Sequence, residues 1–156
     1  MSRIFKHWLP VILWMGVIFL VSTDLGSAGH TSRIIEPLLR WIKQDITLGA
    51  LDLVQTIVRK GAHLTEYAIL ALLILRAINL SRSNQHEIQG MRYFRSAGLA
   101  LLIAATYAST DEFHQSFIPS RTPSIYDVMI DTSGAFAAVT AAVLWRRLRS
   151  NPPQAA

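Results

Sequence analysis

Apolar residues in this chain fall into four blocks separated by charged gaps. The first is "WLPVILWMGVIFLV", from Trp8 to Val21. The second is "HLTEYAILALLILRAINL", residues 63–80, and the third "SAGLALLIAATYAS", residues 96–109. The fourth is "YDVMIDTSGAFAAVTAAVLW", residues 126–145. At about 1.5 Å rise per residue, roughly 20 residues cover the ~30 Å hydrocarbon core of a bilayer. The pattern predicts an all-α, polytopic membrane protein: four transmembrane helices in a bundle, at about 8–22, 63–80, 94–110 and 126–145. The third block is short and must extend to Tyr93 or Asp111 to cross. Pro10 is placed in the first turn of the first helix, where a missing N–H is tolerated. A cleaved signal peptide is the alternative for that block, since Arg3 and Lys6 precede it and "STDLGSAG" follows. Pro10, Trp14 and the later apolar blocks favour an uncleaved helix.

The long first gap has its own pattern. Ile34, Ile35, Leu38, Leu39 and Ile42 recur at helical spacing, and Leu51, Val54, Ile57 and Val58 do so again. Two short amphipathic helices are expected, broken at Gly49. They would pack on the bundle or lie in the outer membrane interface. A fifth span is not expected, because Glu36, Arg40, Lys43, Asp45 and Asp52 interrupt the stretch.

The 156 residues suit a single domain, 1–156, with a polar tail at 146–156. The net charge of +5 comes without a basic patch beside stacking aromatics, so nucleic acid is set aside. Cysteine is absent, which excludes disulfides and thiolate chemistry. Basic residues set the orientation. Arg3 and Lys6, then Arg82, Arg92 and Arg95, then Arg146, Arg147 and Arg149 would share one side of a four-helix topology. That side is expected to be cytoplasmic, in the cell (inner) membrane, with both termini on it. The first loop weakens the count, because it carries Arg33, Arg40, Lys43, Arg59 and Lys60 among acids.

The same topology brings polar residues to the opposite side. His63, Glu66 and Tyr67 begin the second span; Asp111, Glu112, His114 and Gln115 end the third; Asp127 and Asp131 begin the fourth; Arg121 lies between the last two groups. Lys60, His63, Tyr67 and Leu70 share one helical stripe, as do Asp127, Asp131, Gly134 and Ala138. Asp131 sits about two turns inside an apolar helix, where an unpaired charge is costly. Lys60, His63 or Arg121 would be its partner. Small residues around it, and Ala97, Ala100, Ala104 and Ala108 on the third span, would let helices approach closely.

These residues also carry a resemblance. "RKGAHLTEYAILALLIL" (59–75), "YASTDEFHQSFIPSRTPSIYDVMIDTSGA" (107–135) and "FLVST" (19–23) are similar to the VanZ-like family. That family is named for a membrane protein associated with low-level teicoplanin resistance. Position by position, its polar residues correspond to Lys60, His63, Glu66, Tyr67, Asp111, Glu112, Gln115, Arg121, Asp127 and Asp131. Ser120 stands where the family's glycine is expected. The resemblance implies an integral membrane protein of about four helices, with no particular reaction.

Three readings follow. In the first, the protein binds or acts on an envelope lipid or a lipid-linked cell-wall precursor at the outer face. His63, Glu66, Asp111, Glu112 and Asp131 are then the candidate catalytic groups, and Lys60, Tyr67, Gln115, Arg121 and Asp127 the candidate substrate-binding groups. Lys60 and Arg121 would hold a phosphate, and His63 with Glu66 or Asp111 would form a general base pair. In the second, His63, Glu66, Asp111, Glu112, His114 and Asp131 would hold a metal, but no dense ligand motif appears, so no metal or other cofactor is assigned. In the third, the cluster locks helices together or docks a protein partner, which the sequence does not identify. Membrane lipids are the expected partners.

Overall fold

The computed structural model describes residues 3–23, 28–81 and 89–150. These form five helices, with no strand among the described residues: α1 (Arg3–Ser22), α2 (Ala28–Ile42), α3 (Leu48–Ser81), α4 (Gln89–Gln115) and α5 (Ile125–Ser150). Arg82 and residues 151–156 lie outside the described residues; of the expected polar tail at 146–156, residues 146–150 continue α5.

Three helices are long and apolar enough to cross a membrane: α1 over Ile4–Ser22, α3, and α5 over Ile125–Arg149. α4 has 27 residues and extends past both Tyr93 and Asp111. Arg92, Arg95, Asp111, Glu112 and several hydroxyl residues make it more polar than the other three. Large apolar side chains such as Ile12, Leu13, Leu102, Phe136 and Leu144 point outward, as suits a hydrocarbon surround.

Three expectations are corrected. α1 begins at Arg3, so Pro10 lies well inside the helix and not in its first turn. Ile4 and Phe5 extend the apolar helical pattern upstream, and apolar surroundings favour keeping the remaining backbone bonds. The expected break at Gly49 is absent, and the chain leaves helical geometry at 43–47 instead. Thr47 accepts a hydrogen bond from the Ala50 amide through Oγ1 at 3.3 Å, the geometry of an N-cap. The second short helix is therefore the start of α3, a single 34-residue helix about 51 Å long. That exceeds the bilayer core by roughly 20 Å.

α3 is the hub and packs on each of the other four helices. Its buried face runs through Tyr67, Leu70, Ala71, Ile74, Leu75 and Ile78. Against it lie Ala97, Ala100, Ala104 and Ala108 of α4, all buried as the spacing predicts, and Ala135 and Val139 of α5. Small side chains bring the backbones close. At Gly134 the approach is closest: an added Cβ would overlap the Leu64 carbonyl oxygen and lie 3.0 Å from Leu64 Cα. α1 runs antiparallel to α3. Trp14 Nε1 donates to the Glu66 carbonyl at 2.9 Å, and Val21 shares a cavity wall with Arg59. The first part of α3 therefore projects past the end of α1. α2 packs along this projection, where Ser32 Oγ donates to Gln55 Oε1 at 2.9 Å.

Candidate functional site

The polar residues meet at the end of the bundle where α1 finishes and α4 and α5 join. Ser124 caps α5: its Oγ accepts from the Tyr126 amide and its carbonyl from the Asp127 amide. The Ser124 amide donates to Glu112 Oε1. Glu112 thus does from another helix what the third residue of a capping box does within one. This fixes where α5 begins, and so the depth of Asp131.

Asp131 is fully buried. Its nearest charge partner is His63, with Nδ1 3.3 Å from Oδ1, an ion-pair distance off the line of a hydrogen bond. Neither Asp131 oxygen has a hydrogen-bond partner among the described residues, and the same holds for Asp111 Oδ1 and the Tyr67 hydroxyl. Asp111 uses its other oxygen, Oδ2, to accept from Ser22 Oγ at 2.7 Å and from Gln115 Nε2 at 3.1 Å. Ser22 ends α1, so this pair ties α1 to α4.

Arg121 reaches across the loop to α1 rather than to Asp127. Its Nη2 donates to the Val21 carbonyl at 2.6 Å and its Nε to the Thr23 carbonyl at 3.2 Å. A cation there satisfies orphan carbonyls at a helix C-terminus and complements the dipole. Burial, and then the Arg59 guanidinium, lower the pKa of Arg121 from its ordinary value. The two arginines line one cavity, so their like charges share its wall.

Two cavities open here. One, of about 100 Å³, is lined by Val21, Thr31, Arg59, His63, Glu66 and Arg121 among others. The second, of about 200 Å³, is lined by Thr56, Arg59, Lys60, His63, Thr122 and Asp127. Arg59 and His63 belong to both. Each wall carries two basic side chains and one acid, besides the imidazole. Arg59 Nε is buried with no hydrogen-bond partner among the described residues.

The structure thus brings His63 and Asp131 into contact. It places Lys60, Glu66, Arg121 and Asp127 on the cavity walls with His63. It turns Asp111 and Glu112 toward bonds between elements, with Gln115 donating to Asp111 within α4, and seats Tyr67 in the core beside Tyr107, ring centroids 6.3 Å apart. His114 lies against the Phe19 ring at 4.4 Å. Among the described residues no three His, Asp or Glu side chains are grouped to hold a metal ion. Sequence reasoning missed Arg59, which reads as a boundary charge beside Lys60, and Ser22, whose only signal is its place in "FLVST".

The VanZ/LLP1 family profile matches residues 7–146, nearly the whole chain. The chain belongs to the VanZ/LLP1 family. The match covers α2, α3 and α4 in full and most of α1 and α5, so the two cavities lie within the VanZ/LLP1 region. No curated protein and no solved structure matches the chain.

Proposed function

We propose that this VanZ/LLP1 protein spans the membrane four times, with α4 as the fourth span. In this reading it binds the phosphate of an envelope lipid or lipid-linked cell-wall precursor in the two neighbouring cavities, which share Arg59 and His63, at the outer face. The observation that carries the reading is the shared wall: a histidine backed by a buried aspartate, set among Arg59, Lys60 and Arg121. Both cavities are net cationic, and Arg59 offers an unused buried donor. A phosphate between Arg59 and Arg121 would relieve their repulsion and accept from both. His63, held by Asp131, is placed to donate or accept a proton at the bound group, the role a carboxylate-backed imidazole plays in general acid–base chemistry.

Native mass spectrometry tests this with polyprenyl phosphate and the matching uncharged polyprenol. The phosphate should be retained and the alcohol lost, and Arg59→Gln should weaken retention by about tenfold, the order expected for a lost charged hydrogen bond. Equal retention of the two lipids sinks the reading. A link to glycopeptide resistance belongs to the same proposal: loss of the protein should change teicoplanin susceptibility, and Arg59→Gln should reproduce that change.

A second reading, a noncatalytic helix lock, is favoured by the bonds Ser22–Asp111–Gln115, Glu112–Ser124 and Arg121–Val21. Through these bonds Ser22, Asp111, Glu112 and Arg121 tie one element to another, while Gln115 supports Asp111 from within α4. If the lock were the whole role, His63→Gln would leave every cellular phenotype intact.

A further inference from the structure

Toward the end of the bundle opposite the candidate site, α4 and α5 line an outward-facing groove of about 450 Å³. Phe94, Gly98 and Leu101 of α4 and Phe136, Val139 and Val143 of α5 form most of its wall, and Arg147 closes one end. A smaller cavity of about 160 Å³, beside Tyr93, Arg146 and Arg147, shares Phe94, Val143 and Arg147 with it. From Phe136 to Arg147 the helix rises about 16 Å. Half of a ~30 Å hydrocarbon core is about 15 Å, so the groove is as long as one leaflet is deep. Its charged end then falls at headgroup level.

We infer that this groove holds one acyl chain of an anionic phospholipid, with the lipid phosphate against Arg146 and Arg147. The Arg146 guanidinium lies over the Tyr93 ring at 4.4 Å, and that of Arg147 over Phe94 at 5.8 Å. Stacking uses the face of the Arg146 guanidinium, whereas its N–H donors lie in the plane and suit a phosphate fork. Arg149, over the Trp145 ring at 4.6 Å, adds to the positive field, and no acid lies at this end among the described residues. Charge complementarity therefore selects an anionic headgroup. It also disfavours a second copy of the chain: two copies paired side by side through this groove would bring the same arginines together. Gly98 faces open space, with nothing within 4 Å of an added Cβ, so a chain can lie against the backbone there.

The test is native mass spectrometry of the full-length protein from mixed micelles, titrated with phosphatidylglycerol or phosphatidylcholine of matched chains. Wild type should retain phosphatidylglycerol about tenfold more tightly, the order expected for two basic side chains at a headgroup. The Arg146→Gln, Arg147→Gln double variant should erase that preference. Gly98→Leu, whose Cβ meets open space, projects into the groove and should abolish tight retention of either lipid, with elution and thermal melting as in wild type. Equal retention of the two lipids by wild type overturns the inference without any variant. So does undiminished retention by a folded Gly98→Leu protein. A dimer that dissociates on Gly98→Leu would give the groove to a second copy and overturn it too.

Discussion

Asp131 is costly where it stands: among the described residues it is a fully buried carboxylate whose one close charge partner is an imidazole, with neither oxygen hydrogen-bonded. Breaking a buried ion pair usually destabilises because the abandoned partner stays buried and charged. Here the partner, His63, lines two cavities and need not remain charged. Asp131→Leu is therefore expected to melt no lower than wild type in detergent, and Asp131→Asn close to it. Both should lose whatever phenotype the protein supports. A sharp fall in melting temperature with function preserved in the Asn variant would make Asp131 a structural residue. The opposite holds at Gly134, where the Leu64 backbone leaves no room for a side chain. Gly134→Val should cost roughly 1–3 kcal/mol, the range for overpacking, read as a lower midpoint of thermal unfolding. The sequence shows that Asp131 needs a donor, but not which one. The choice of His63 over Lys60 depends on how α3 and α5 slide past one another, and the Gly134–Leu64 approach sets that register. Arg59 escaped notice for the same reason: a cation beside another cation at a helix boundary looks solvated until a loop and a neighbouring helix close over it.

α2 shows what a helix does when only part of its apolar surface finds a partner. Ser32 and the half-buried Ile35 and Leu39 lie on its α3 side. Arg33, Glu36 and Arg40 form a polar face, with Glu36 and Arg40 paired at 2.8 Å. Ile34, Leu38, Trp41 and Ile42 form a third face turned outward, with Trp41 83% exposed. With 15 residues α2 is about 22 Å long, too short to span. A partly apolar, partly basic face suits the membrane interface. Single cysteines at 34, 38 and 41 should resist an aqueous maleimide in vesicles, and those at 33 and 40 should react. Equal reactivity on both faces would lift α2 off the bilayer. The amphipathic periodicity of this stretch was legible; its division was not. Gly49 and Asp52 look like interruptions, but one glycine costs a helix only about 1 kcal/mol, and the Thr47 cap decides where α3 starts. The alanine stripe of α4 was legible in full, because a run of small residues at helical spacing has few other uses between apolar neighbours.

Over the whole molecule the charges separate by end. Glu66, Asp111, Glu112, Asp127 and Asp131 gather at the candidate site, and Glu36, Asp45 and Asp52 belong to α2, the segment joining it to α3, and the projecting start of α3. The other end holds Lys6, Arg76, Arg92, Arg95, Arg146, Arg147 and Arg149, with no described acid. Arg33, Arg40 and Lys43 lie on α2 or just after it, away from the ends of the spans, while Arg59, Lys60 and Arg121 are committed to the cavity walls. Orientation follows the Lys and Arg residues close to span ends in short segments, and these favour a cytoplasmic basic end. The start of α1 and the finish of α5 both lie there, because α1 and α3 are antiparallel and α4 and α5 bring the chain back after α3. A reporter active only in the cytoplasm should therefore be active when fused after Ser150, and one active only outside should be silent there. The same reporters placed between Ile118 and Thr122 should give the reverse pattern. If both fusion sites report one compartment, α4 and α5 do not each cross. If the two patterns are exchanged, the His63–Asp131 site faces the cytoplasm, and a phosphate-bearing lipid would have to reach it from the inner leaflet.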